Sequence, residues 1–114
     1  MVAFRGFLVA IFAVVAGYTF VVASNHGLNL LPVFFGDMAT MAWPGQFNLD
    51  FMCMLLLSGL WVSWRHQFSA AGLALGLAAV LGGALFLSAY LLLTSVKVKG
   101  DVRALLLGEA RKSG

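Results

Sequence analysis

Apolar residues fall into three long runs, and short polar stretches separate them. The runs cover about residues 4–23, 48–64 and 70–96. A helix rises about 1.5 Å per residue, so about 20 residues cross the roughly 30 Å hydrocarbon core of a bilayer. The pattern therefore predicts an all-α membrane protein. Three transmembrane helices form a single domain over residues 1–114, which ends in a short basic tail at 97–114.

The first run also has the layout of a secretory signal peptide, with Arg5 ahead of it and small residues before Ser24. The run is long for the apolar core of such a peptide. We therefore expect it to be retained as a membrane span.

The connection between the first two spans, residues 24–47, is interrupted by Pro32, Gly36 and Asp37. We expect an amphipathic helix in the membrane interface, because the segment is too broken for a span. A re-entrant segment is the alternative, provided that protein or water satisfies its backbone. The side chains expected to face lipid are Leu31, Phe34, Phe35, Met38 and Met41.

The second span is expected to begin after a Pro44-Gly45 turn. Asn48 is a favourable helix cap, and Asp50 then falls in the first turn, where a carboxylate suits the helix dipole. Tryptophan at both ends of the span, with an arginine at the far end, is typical of anchors at the membrane interface. These predicted anchors are Trp43, Trp61, Trp64 and Arg65.

Small residues recur at helical spacing in the first and third spans, and such faces let helices approach closely in lipid. The two predicted helix-packing faces consist of Gly6, Ala10, Ala13 and Gly17, and of Gly72, Gly76, Ala79 and Gly83. We expect them to pack on each other or on another subunit. Residues 101–112 form either a surface helix or a disordered end. In the helix, Leu105 and Leu106 would face the membrane, and Arg103 and Arg111 its headgroups.

The orientation signals disagree. Three spans place the termini on opposite sides of the membrane, so the side that holds Arg5 and Arg65 lacks the basic tail. The count of basic residues places the tail in the cytoplasm, whereas the usual dominance of the first helix places Arg5 there. A fourth, broken span would bring the tail to the side of Arg5, but residues 28–43 are a poor candidate for it. Insertion in both orientations is a further hypothesis.

Composition supports a bilayer as the solvent of this chain. Hydrophobic residues make up 62% of its 114 residues and charged residues 10%, against about 45–50% and about 25% in soluble domains. The net charge of +3 is concentrated near the C-terminus, beside an apolar span. This arrangement favours anionic lipid headgroups, and we expect no binding of nucleic acid.

Few residues offer chemistry. The single cysteine, Cys53, cannot form an internal disulfide, and no His or Cys spacing resembles a metal site. No nucleophile is paired with a base, so we expect neither an enzyme nor a bound metal or cofactor. The one polar cluster expected is Asn48, Asp50 and Tyr90, brought together by antiparallel second and third spans. It would bind a polar headgroup or a cation, or Asp50 would only position its helix.

Several short motifs resemble a family of small membrane proteins. They are Trp43, Asp50-Phe51, the segment 60–65 (LWVSWR) and Ala89-Tyr90. The resemblance covers about residues 4–107 and is to three-span proteins of bacteria, with plant relatives, that are known only as a domain of unknown function. Members often carry Lys-Glu where this chain has Arg65-His66. The resemblance implies three spans and no particular activity.

These observations predict a small integral membrane protein, expected in the bacterial inner membrane. Its partners would be lipids and other membrane subunits or itself. An accessory or structural subunit is the leading hypothesis. The alternatives are a homo-oligomeric transporter or channel that uses Asp50 and Asn48, and a binder of lipid or of an apolar small molecule.

Overall fold

The computed structural model describes residues 1–108, and all of its regular structure in that range is helical. Three helices are long and apolar enough to cross a membrane, which supports an integral membrane protein. The five helices are α1 (Val2–His26), α2 (Leu31–Ala39), α3 (Trp43–Arg65), α4 (Ala70–Lys97) and α5 (Val102–Leu107). Arg111, assigned above to the tail helix, lies outside the described residues.

Helix α4 is not straight but folds back at Gly83. The hydroxyl of Tyr90 lies 2.7 Å from Nε2 of His66, although a straight helix would put Tyr90 about 30 Å beyond Ala70. Ser69 and Lys97 likewise line one cavity. The first half of α4, residues 70–82, therefore runs down along α3, and the second half, residues 84–97, returns to the same end.

Gly83 permits this reversal because it adopts φ 58° and ψ −140°, a conformation that essentially only glycine tolerates. The residue is buried against α3, where an added Cβ would lie 3.2 Å from Phe51 Cζ and 3.3 Å from Leu55 Cδ2. The other members of its small-residue face, Gly72, Gly76 and Ala79, are also buried. At Gly76 an added Cβ would lie 2.8 Å from the Gly59 carbonyl oxygen, so the two backbones are in close contact.

Helix α1 packs on the second half of α4 with large side chains. Its inner face is formed by Phe4, Leu8, Ile11 and Val15. The small-residue face lies opposite, since all four members are exposed and nothing approaches within 4 Å of a Cβ added at Gly6 or Gly17. The two predicted faces do not meet, because that of α4 belongs to the half that covers α3.

Helix α3 begins five residues earlier than its expected cap. Ala42 is the N-cap, and Trp43 and Pro44 open the helix, as suits a proline whose missing N–H needs no partner in the first turn. The expected capping role of Asn48 is therefore wrong, and Asp50 lies beyond the first turn. Asn48 instead donates from Nδ2 to the Phe34 carbonyl oxygen at 3.0 Å, which ties α2 to α3.

The connection contains a single short helix, α2, which packs against α3. Of the side chains expected to face lipid, Phe34 and Met38 are half-buried, while Leu31, Phe35 and Met41 are exposed. The contact of α2 with α3 explains this division, because Phe34 and Met38 lie on the side from which Asn48 approaches.

Helix α5 is capped by Asp101, whose Oδ1 accepts hydrogen bonds from the N–H groups of Arg103 and Ala104. Leu105 is only 3% exposed and forms a small core with Val98 and Ala104. Its expected membrane-facing position is thus wrong, because α5 docks on the protein. Leu106 is exposed.

These contacts bring six chain segments to one end of the molecule, which we call the basic end. It comprises the start of α1, the end of α3, the loop 66–69, the start of α4, the end of α4, and residues 98–108, which include α5. Every lysine and arginine among residues 1–108 belongs to it, namely Arg5, Arg65, Lys97, Lys99 and Arg103. Helix α2 and the acidic residues Asp37 and Asp50 belong to the opposite half.

Candidate functional site

The basic end is organised by Arg65, the last residue of α3. Its side chain is buried, with 8% of its surface exposed. Nε donates to the Leu105 carbonyl oxygen at 2.7 Å, and Nη2 to that of Ala104 at 3.1 Å. Both carbonyls are in the last turn of α5, and that of Ala104 also accepts from the Gly108 N–H at 2.9 Å. Arg65 thus caps α5 and balances its own charge against the negative end of a helix.

Trp61 extends this attachment by one residue. Its indole Nε1 donates to the Leu106 carbonyl oxygen at 3.1 Å. Trp61 and Arg65 are one turn apart on α3, so their side chains leave the helix on the same face. Together they hold three successive carbonyls of α5.

Tyr90 joins Arg65 to His66. Its hydroxyl accepts from Arg65 Nη1 at 3.2 Å and lies 2.7 Å from His66 Nε2. The Arg65 guanidinium also lies 5.9 Å from the centre of the Tyr90 ring, within cation–π range. In the tautomer protonated on Nδ1, a neutral His66 accepts the phenolic proton and keeps one N–H free for another group.

The electrostatics of this end disfavour additional positive charge. Burial, followed by the charges of Arg65 and Lys97, lowers the pKa of His66 below its ordinary value of 6.5. No ion pair with a described carboxylate offsets the charge of Arg65. An anion placed here would be stabilised by all three side chains.

A half-open cavity of about 660 Å³ lies beside this cluster. Its walls combine cationic, hydrogen-bonding and apolar groups, and none of the described residues that line it is acidic. They are Arg65, His66, Gln67, Ser69, Leu75, Tyr90, Leu93, Thr94, Lys97, Val98 and Gly108.

Arg5 makes a second attachment at the same end. Its Nε donates to Ser95 Oγ at 3.1 Å, and its Nη2 donates to the Ser95 carbonyl oxygen at 3.0 Å. The guanidinium thereby fastens the start of α1 to the returning half of α4. The charged side chains at the basic end therefore hold helices in position and also set the electrostatic potential of the cavity.

The expected cluster of Asn48, Asp50 and Tyr90 is not brought together. Tyr90 contacts Arg65 and His66, and Arg65 lies about 25 Å along α3 from Asn48. The reversal at Gly83 is the physical cause, since it returns Tyr90 to the end of α3 rather than to its start. Asp50 is exposed on α3.

The four predicted interface anchors have different surroundings. Trp43 is exposed at the opposite end, where its ring stacks on that of Phe47 with centres 6.0 Å apart. Trp61 and Trp64 are half-buried at the basic end. Arg65 does not project freely from the end of α3 as a typical anchor would, because its guanidinium is buried and held by α5.

His66 and Lys97 were not predicted from the sequence to belong to one site. They are 31 positions apart in the chain, and only the reversal of α4 brings them to one cavity. The available signal was the Gly82-Gly83 pair inside an apolar run longer than one span requires. Within residues 1–108, no group of three His, Cys, Asp or Glu side chains is placed to hold a metal ion.

Comparisons of the chain with models of known families, with curated proteins and with solved structures found no match. Function is therefore inferred from the geometry of this chain.

Proposed function

We propose that this chain is a small accessory or structural subunit of a membrane assembly. It would pack in the bilayer against a helix of a second copy or of a larger membrane protein. The observation that carries the proposal is the uncovered face of α1, where Gly6, Ala10, Ala13 and Gly17 are all exposed. In lipid, helix association depends on close backbone approach, which small residues allow.

The inner face of α1 supports the same proposal. Phe4, Leu8, Ile11 and Val15 already satisfy the packing of α1 within the chain, so the small-residue face is not needed to hold the fold together. A helix with one face occupied and the opposite face small and exposed is suited to join a second helix.

We further propose an orientation in the membrane. The basic end would lie in the cytoplasm, because cytoplasmic segments carry an excess of lysine and arginine. Helices α1 and α3 would cross the bilayer, and α4 would enter it as a re-entrant hairpin about 20 Å deep. The buried apex at Gly83 meets the requirement that irregular backbone in a membrane be covered by protein. The membrane would be the bacterial inner membrane.

The oligomeric state in mild detergent, together with recovery of partners from native membrane, tests the proposed function. Replacing Ala13 by leucine should weaken association by about tenfold, because the larger side chain separates the backbones. The matched control is Val9→Leu, which enlarges an exposed residue of α1 outside the small-residue face and should leave association unchanged. A monomer that recovers no partner and does not self-associate would contradict the proposal.

A further inference from the structure

The cavity at the basic end has the groups of an anion site. Three cationic or protonatable side chains, Arg65, His66 and Lys97, converge on it from the end of α3, the following loop and the end of α4. Arg65 and His66 are neighbours in the chain, and the reversal of α4 brings Lys97 to the same cavity. No described acidic residue shares the lining, so the converging charge is not balanced by a carboxylate in the described part of the cavity wall.

Donors for a ligand remain after the internal bonds are counted. A guanidinium carries five N–H groups. In Arg65, the carbonyls of α5 accept one from Nε and one from Nη2, and the Tyr90 hydroxyl accepts one from Nη1. Lys97 is exposed and forms no hydrogen bond or ion pair with any described residue. None of the three donors of its ammonium is used within residues 1–108.

The hydrogen bonds to α5 also hold the guanidinium of Arg65 in place. A donor fixed before a ligand arrives loses little conformational entropy on binding. Planar guanidinium groups are well suited to phosphate oxygens, and an ammonium adds a point charge. Gln67, Ser69 and Thr94 provide further neutral polar groups around the same space.

The walls also include an apolar part. Leu75, Leu93 and Val98 line the cavity together with the cations, and Leu93 is exposed on the outer surface of α4. A ligand that joins an anionic head to an apolar chain would satisfy both kinds of wall.

We propose that this cavity binds a phosphate group, as carried by the headgroup of an anionic membrane lipid or by a free phosphate. The guanidinium of Arg65 and the ammonium of Lys97 contact the phosphate oxygens, and the imidazole of His66 donates its free N–H. The site is independent of the association proposed for α1, because it lies on other helices.

The first test measures binding of defined probes to the full chain in neutral detergent. The probes are phosphatidylglycerol, phosphatidylcholine as the lipid without net charge, and inorganic phosphate. Lys97→Gln should weaken binding of phosphatidylglycerol or phosphate about fivefold, since one basic side chain near an anionic headgroup has about that effect. Binding to phosphatidylglycerol alone assigns the ligand as a lipid, and binding to inorganic phosphate as well assigns a free phosphate.

Lys99→Gln is the matched control. Lys99 is an exposed lysine two residues further along, at the same end, and it does not line the cavity. Its loss should change the affinity less than twofold. Equal weakening by the two variants would overturn the proposal, because it would show a diffuse surface attraction in place of a site. Equal affinity for phosphatidylcholine and phosphatidylglycerol, with no binding of phosphate, would also overturn it.

A second readout uses the two histidines. His66 lies in the site, whereas His26 ends α1 at the opposite end. Binding of the anion should move the imidazole resonances of His66 and shift its titration midpoint to higher pH, because a nearby negative charge favours the imidazolium. The His26 resonances should not move. Resonances of His66 that stay unchanged at saturating probe would contradict the assignment.

Discussion

At the scale of single residues, Arg65 determines how the basic end is built. Its charge is buried without a described carboxylate partner and is met by two carbonyl oxygens and a phenol. Buried charges are costly unless hydrogen bonds satisfy them. The C-terminal turn of α5 provides these bonds, so the side chain that caps α5 also depends on it.

We predict that Arg65→Lys lowers the free energy of unfolding by about 2 kcal/mol or more, because an ammonium cannot reproduce the fork that holds both carbonyls. Denaturant unfolding in detergent, followed by tryptophan fluorescence, measures the change. The emission of Trp61 should also respond, since its indole binds the same turn of α5. Lys99→Gln is the control and should stay within about 0.5 kcal/mol. An equally small effect of Arg65→Lys would show that α5 is held by other contacts.

The stability of the protein should depend on pH through His66. Its pKa is lowered in the folded protein by burial, Arg65 and Lys97, so the unfolded chain takes up a proton at higher pH than the folded one does. The free energy of unfolding is then constant above pH 6.5 as far as His66 is concerned, and it falls as the pH drops below 6.5.

Unfolding of the wild type and of His66→Asn, compared at about pH 7.5 and about pH 5.5 in phosphate-free buffer, tests this dependence. The variant should lose less stability between the two values than the wild type. His26→Asn removes the histidine at the opposite end and serves as the control. A decline that is identical in the wild type and in His66→Asn would assign the pH dependence to other groups.

The residue scale was the hardest to predict from sequence. Arg65 follows Trp64 at the end of an apolar run, where arginines usually reach for headgroups. Two of its partners lie 39 and 40 positions away in the chain, and the third, Tyr90, lies 25 positions away. Asn48 is a second example. It was predicted to cap α3, but the helix already begins with Trp43 and Pro44.

At the scale of elements, the reversal of α4 is the largest difference between the observed fold and the three straight spans expected from the sequence. Its small-residue face was recognised from the spacing of Gly72, Gly76, Ala79 and Gly83, and all four are buried. The spacing could not indicate that Gly83 leaves the helical conformation, since glycine serves close packing and positive φ equally well. The apolar run at 70–96 is longer than one span requires, and a hairpin accounts for its length.

We predict that Gly83→Ala lowers the free energy of unfolding by about 1–3 kcal/mol, the cost of a side chain in this backbone conformation. Contact with Phe51 and Leu55 adds to the strain. Gly6→Ala is the control, because the added methyl meets nothing within 4 Å and alanine is the better helix former by about 1 kcal/mol. It should leave stability unchanged or raise it. Equal stability of the Gly83 and Gly6 variants would contradict the reversal.

Helix boundaries were predicted more reliably than helix contacts. The apolar runs place α1 and α3 within a few residues of their observed limits, since length and hydropathy alone determine a span. Contacts between helices depend on which side of each helix meets which neighbour. In lipid, apolar residues occupy both the inner and the outer side of a helix, so the sequence does not distinguish them.

At the scale of the whole molecule, the reversal of α4 changes the distribution of charge. With three straight spans, the basic residues are divided between the two sides of the membrane, and the orientation signals conflict. With two spans and a hairpin, Arg5, Arg65 and Lys97 lie at one end, together with Lys99 and Arg103. In this proposed topology, the positive-inside rule gives one orientation, and the two ends of the described chain would share a side of the membrane.

The side of the membrane reached by the two ends of α4 is the most direct test of this architecture. Single cysteines at Gln67 and Lys99, both exposed, are introduced after Cys53→Ser and treated with a membrane-impermeant thiol reagent. A cysteine at Thr40, between α2 and α3, reports the opposite side. The structure predicts that positions 67 and 99 are labelled from one side and position 40 from the other. Labelling of positions 67 and 99 from opposite sides would contradict the hairpin and restore three straight spans.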